Sequence, residues 1–167
     1  MQKNNSPTAY RKELRERILA ASMEEFRKHG VRAVKMDDIA SRLGISKRTL
    51  YEIYSNKETL LLEGMKMYEE DIDAYMTRFV ESDEHNVIET IIEFYNLQIK
   101  QSANINPLYF EELHRYPSVL AFFEQKHKDR RLKQKLFFKR GVNEGCFRDD
   151  VDYDIFDNGY VISMELV

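Results

Sequence analysis

The chain has 167 residues, 43% apolar and 33% charged, with a net charge of −3, the profile of a soluble globular protein. No apolar run approaches the ~20 residues of a membrane span, and the polar start MQKNNSPTAY is not expected to be a signal peptide. The single cysteine, Cys146, excludes an intramolecular disulfide and predicts a reducing, cytoplasmic setting. Six glycines and three prolines among many Leu, Glu, Lys and Arg predict an all-α fold. Charge is unevenly spread. Residues 1–60 hold 13 Lys and Arg against 8 Asp and Glu, and the remainder holds 13 against 21. A basic N-terminal third suits a phosphate-binding module, although such an excess alone also arises by chance.

In chain order, residues 1–9 are polar, contain Pro7 and are expected to form a disordered arm. Leu14, Ile18, Ala21 and Phe26 form the apolar stripe of a helix over residues 10–29, closed by Gly30. Arg11 and Arg15 near its start suit either phosphate contact or a solvated face. Met36, Ile39, Ala40 and Leu43 then recur at helical spacing, and Gly44 stops that helix because positive φ comes freely only to glycine. Ile45 plugs the corner and Ser46 is a good N-cap. The next helix turns Leu50 and Ile53 inward and carries Lys47, Arg48, Thr49 and Tyr51 on its other faces. Helix, glycine turn and helix with a polar, basic start form the helix-turn-helix pattern, whose second helix enters the DNA major groove.

Ser55 and Glu58 read as a capping box that starts a long helix reaching about residue 80. Lys57 falls in its first turn, where a cation is disfavoured unless an external anion joins it. Leu61, Met65, Tyr68, Ile72, Tyr75 and Phe79 make one apolar seam, the ordinary core face of a bundle helix. Residues 81–86 are a polar break. A helix over residues 87–102 is expected to turn Ile88, Ile91, Ile92, Tyr95 and Ile99 to the core. Asn106 and Pro107 start a short helix at residues 108–115, and a longer one covers residues 118–143. Its middle, residues 125–135, is rich in Lys and Arg and reads as a solvated face. Asp152 is expected to cap an eighth helix carrying Ile155, Phe156, Tyr160, Ile162, Ser163 and Leu166.

No catalytic set assembles from these residues. His29, His85, His114 and His127 lie on different elements, and Cys146 has no histidine nearby in sequence. Glu111, Glu112 and His114 read as an acidic face rather than a metal site, and Asp149, Asp150, Asp152 and Asp154 as helix-capping residues. No metal, cofactor or enzyme activity is expected. The many aromatics of the C-terminal part are core fillers in the first instance.

The constellation Ile18-Leu19, Ala21, Phe26, Gly30, Ile39-Ala40, Leu43-Gly44-Ile45-Ser46, Thr49-Leu50-Tyr51, Tyr54, Lys57-Glu58 and Leu60 resembles the DNA-binding region of the TetR family of bacterial repressors. Residues 141–150 also resemble a linker found before the eighth helix of that family. The resemblance implies a three-helix DNA-binding domain at 10–56 and a helical-bundle ligand-binding and dimerisation domain at 57–167, expected to lack the family's last helix because the sequence stops at Val167 in mid-pattern. It implies a homodimer on a palindromic, double-stranded operator, with repression relieved by a small-molecule effector. DNA contacts fall to Lys35, Ser46, Lys47, Arg48, Thr49, Tyr51 and Lys57, with Tyr54 packed inside. Three positions depart from the family habit, the mildest being Ser22, of similar size to the alanine frequent there. Lys35 stands where Thr is frequent, and Asp37, which would repel DNA, stands where a basic residue is frequent. Tyr75, Tyr95, Gln98 and Phe122 are candidate lining for an apolar or aromatic effector, and each also reads as core. The rival reading is a helical ligand-binding or protein-interaction module whose helix-turn-helix no longer binds DNA.

Overall fold

The computed structural model describes residues 7–82 and 84–151. Seven helices follow in order: α1 (Pro7–His29), α2 (Met36–Leu43), α3 (Lys47–Ile53), α4 (Lys57–Glu81), α5 (Val87–Ser102), α6 (Pro107–Leu113) and α7 (Pro117–Asn143). All regular structure among the described residues is helical, and no helix there is long and apolar enough to cross a membrane. Two compact units form. Among the described residues, one joins those up to Tyr68 with Asn106–Val119, and the other joins Glu69–Ile105 with those from Leu120 onward.

In the first unit, Leu14, Ile18, Leu19, Met23 and Phe26 of α1 bury one stripe, and Ile39, Leu50, Tyr54, Leu60, Leu61 and Met65 complete the core. Gly64 lies where α4 meets α1. A Cβ there would stand 2.2 Å from Met23 Sδ. The segment from Asn106 returns to this same unit. Asn106 donates from its backbone N–H to Arg27 O at 2.8 Å and from Nδ2 to Lys28 O at 3.3 Å, satisfying carbonyls that the end of α1 leaves open. Glu112 of α6 accepts from Arg32 N–H at 2.7 Å. Tyr109 is buried against Met65, and burial pushes its phenol up to about 12. Glu58 of α4 accepts from Ser118 N–H at 2.8 Å and Ser118 Oγ–H at 2.7 Å, so it caps the start of α7.

Among the described residues, the second unit has a smaller buried set. Ile72, Val87 and Thr90 are buried. Polar pairs join its helices: Glu69 with Arg130, and Asp73 with Lys126 at 2.8 Å. The basic middle of α7 is therefore tied in part to acidic positions of α4. Arg140 of α7 donates to His85 O at 2.8 Å, and Val87 N–H donates to Glu144 at 3.0 Å. Asn86 caps α5, with Glu89 completing a capping box.

Several expectations change. Residues 7–9 belong to α1 rather than to an arm, because Pro7 occupies the first helical position, where its missing N–H costs nothing. The rest of the expected arm, residues 1–6, lies outside the described residues. The cap of α4 is Asn56, not Ser55: Asn56 Oδ1 accepts from Thr59 N–H at 2.8 Å, and Glu58 turns to Ser118 instead of closing a box. α5 turns a different face inward. Val87 and Thr90 are buried, whereas Ile88, Ile92, Tyr95 and Ile99 are 41%, 54%, 58% and 66% exposed. The helix carries two adjacent apolar faces, and periodicity alone does not choose between them. The expected eighth helix also lies outside the described residues.

Two outcomes follow from this packing. Gly64→Ala is expected to cost about 1–3 kcal/mol through overpacking against Met23. Much of that cost should be absent when alanine also replaces Met23, a coupling readable by urea unfolding of the two single variants and the double variant. Glu58 is held below its ordinary 4.5, first by the Ser118 hydroxyl and then by its N–H. A depressed carboxyl stabilises the fold above its unfolded value, and that contribution disappears as pH falls through the folded value. Unfolding midpoints of Glu58→Gln should therefore fall less steeply below pH 4.5 than those of the unsubstituted chain.

Candidate nucleic-acid interface

α2 and α3 are joined by a turn whose geometry follows from three residues. Gly44 has φ 65°, and a Cβ there would meet nothing within 4 Å, so backbone conformation rather than space requires the glycine. Gly44 N–H donates to Ser41 O at 3.1 Å and Ile45 N–H to Ala40 O at 3.0 Å, closing α2. Ser46 is extended and its Oγ accepts from Thr49 N–H at 3.0 Å, starting α3. Leu50 and Tyr54 are fully buried beneath that helix. The Tyr54 hydroxyl donates to Glu63 at 3.1 Å, and burial foremost raises its phenol pKa. Arg15 lies 4.9 Å above the Tyr54 ring and bonds Glu63 through Nε at 2.7 Å, so it serves the packing of the unit.

With Leu50 inward, the polar residues of α3 point away from the core. Tyr51 is 47% exposed. Lys47 pairs with Asp37 of α2, and Arg48 Nε pairs with Glu52 Oε1 at 2.9 Å. The hydroxyls of Ser46 and Thr49 are 2.8 Å apart and share a hydrogen. Lys35 is exposed at the N-cap of α2, where its backbone N–H donates to Asp38 at 3.2 Å. Arg11 donates to Glu52 O at 3.4 Å, which places it beside the C-terminal end of α3.

Lys57 is half-buried at the start of α4. Its Nζ donates to Val31 O at 2.9 Å and Arg32 O at 3.4 Å, and burial lowers its pKa. An ammonium has three donors, so one remains for a further acceptor. The sequence alone does not indicate these carbonyl partners, the Asp37–Lys47 pair or the place of Arg11, because each depends on which loops meet in space.

The effector-lining candidates all fall in the second unit. Tyr75 is 38% exposed with its hydroxyl 2.6 Å from Glu93, and Tyr95 is 58% exposed. Gln98 and Phe122 are half-buried. Tyr75 and Tyr95 are thus placed at the surface rather than in an enclosed core.

Residues 18–63 match the family model of the bacterial regulatory proteins of the tetR family. The transcriptional repressor KstR2 of Mycobacterium tuberculosis is 29% identical over 149 residues, which cover 82% of this chain and 70% of that protein. Two solved structures share the fold. The fatty acid degradation regulator FadR of Bacillus halodurans superposes with a TM-score of 0.68 at 16% identity, over 97% of this chain and 82% of that one. FadR of Thermus thermophilus, a TetR-family repressor solved with lauroyl-CoA, superposes with a TM-score of 0.54 at 20% identity, over 87% and 76%. The matched span contains the helix-turn-helix just described, and the proteins it resembles are regulators rather than enzymes. The helix-turn-helix at residues 18–63 is thus of the tetR-family type, and over most of its length the chain is similar to a DNA-binding transcriptional repressor.

Proposed function

We propose that this protein is a ligand-responsive repressor that binds a palindromic operator as a homodimer in the cytoplasm. The observation that carries the reading is the outer face of α3: Lys47, Arg48 and Tyr51 are exposed and Thr49 is half-buried around a fully buried Leu50. Residues 10–56 are the reader and residues 57–167 the regulatory part. Arg48, Thr49 and Tyr51 reach base edges, while Lys35, Ser46, Lys47 and Lys57 hold the phosphate backbone and set register. In a two-fold dimer the two reading helices stand about 34–36 Å apart, or a multiple of that, to meet successive major grooves. Repression is supported by the KstR2 relative, which is named a repressor.

The effector is an apolar or aromatic molecule that binds the aromatic second unit beside Tyr75, Tyr95, Gln98 and Phe122. It favours one spacing of the two heads and so shifts the population away from the DNA-competent one. Lauroyl-CoA, held by the Thermus FadR, is the natural first probe.

Both parts have direct tests. Lys57→Ala is expected to weaken binding to a duplex selected from a random pool. Its salt slope should be about 0.9 shallower, since one phosphate fewer is neutralised. A melting curve accompanies it, because Lys57 also serves the Val31 and Arg32 carbonyls. Unchanged affinity and slope in a folded variant would remove Lys57 from the phosphate backbone. Lauroyl-CoA is expected to raise the melting temperature and release the duplex; if it does neither, lauroyl-CoA is not the effector.

A further inference from the structure

An aspartate on a DNA-facing surface is electrostatically unfavourable, and Asp37 occupies the first turn of α2 next to the start of α3. Its partner explains its place. The Lys47 ammonium bonds the Asp37 carboxylate, ten residues away in sequence and across the turn, with both side chains partly exposed at 66% and 45%. Asp37 is not needed to cap α2, because Asp38 fills that role by accepting from Lys35 N–H. Nor does it repair a buried charge, because Lys47 sits in water. The carboxylate presents to Lys47 what a DNA phosphate would present: an anionic oxygen in direct reach of the ammonium. Exposed pairs of this kind are weak, so a phosphate can displace the carboxylate.

We propose that Asp37 is an intramolecular stand-in for DNA phosphate: it holds Lys47 in the free protein and surrenders it to the duplex backbone on binding. Asp37 is then a positioning residue that sets how tightly the reader binds any duplex, without altering which sequence it prefers. Sequence is read by Arg48, Thr49 and Tyr51, whereas the exchange at Lys47 involves only the backbone. The Asp37 interaction keeps Lys47 ordered near the groove edge and weakens adhesion to non-cognate DNA. The inference rests on the reading that Lys47 faces phosphate.

The test is a four-protein cycle of unsubstituted chain, Asp37→Asn, Lys47→Ala and the double variant. Each is measured for affinity on a selected duplex and on a random-sequence duplex at low and moderate salt. Asp37→Asn is expected to tighten binding about two- to five-fold on both duplexes alike, leaving their ratio unchanged, and to lose most of that gain when Lys47 is alanine. Weaker or unchanged binding by a folded Asp37→Asn protein overturns the proposal while leaving DNA binding intact. A gain that persists fully without Lys47 also overturns it, since Asp37 would then act by general repulsion. A Lys47→Ala protein with undiminished affinity removes Lys47 from the interface and the proposal with it. Failure of every form to bind any duplex refutes the DNA-binding reading itself.

Discussion

A helix of seven residues cannot hold itself together in water, since isolated helices shorter than about 12–15 residues are marginal. α3 exists because the chain on both sides clamps it. Ser46 satisfies one free N–H at its start, Gly44 turns the backbone so that α3 leaves α2 at the required angle, and Leu50 and Tyr54 pin its inner face into the core. Every proposed DNA contact on α3 depends on that clamp, because the outward direction of Lys47, Arg48, Thr49 and Tyr51 is fixed by the inward direction of Leu50. The Arg15–Glu63–Tyr54 group adds a polar lock at the far end.

The end of α1 shows how the first unit is closed around that clamp. A helix terminus leaves carbonyls that must find donors. Gly30 N–H takes Phe26 O, Asn106 takes Arg27 O and Lys28 O, and Lys57 takes Val31 O and Arg32 O in the turn that follows. Three separate stretches of chain therefore meet at one turn. The segment from Asn106 to Val119 is thereby part of the first compact unit by hydrogen bonding, although it is remote in sequence from the residues it serves. Lys57 has two callings at this place, a structural one that is visible and a phosphate-binding one that is proposed.

Charge on the reading surface is less free than a count of basic residues suggests. Lys47 and Arg48 each have a carboxylate partner, and Arg15 and Arg42 are paired with glutamates of α4 and α1. An excess of positive charge in the first 60 residues measures attraction at a distance. The local pairs decide how much of that charge each cation is free to offer an external anion.

The sequence by itself determined the helical class, the boundaries of α2, the glycine turn, the Ser46 cap and the inward set Ile39, Leu50 and Tyr54. All of these are local: periodicity, one required positive φ and one side-chain acceptor at fixed spacing. It also placed Asn106 and Pro107 at the start of α6, again from adjacent residues. Tertiary structure decided what local pattern leaves open. α5 has two adjacent apolar faces, and packing with its neighbours chose Val87 and Thr90 over Ile88, Ile92, Tyr95 and Ile99. Ser55 and Asn56 were both competent caps, and the pull of Ser118 on Glu58 removed the glutamate that a Ser55 capping box needed. The partners of Asp37, Lys57 and Glu112 lie 10, 26 and 80 residues away, and no spacing rule connects them. Local chemistry names the candidate DNA-binding residues, and only the fold shows what each of them is already holding.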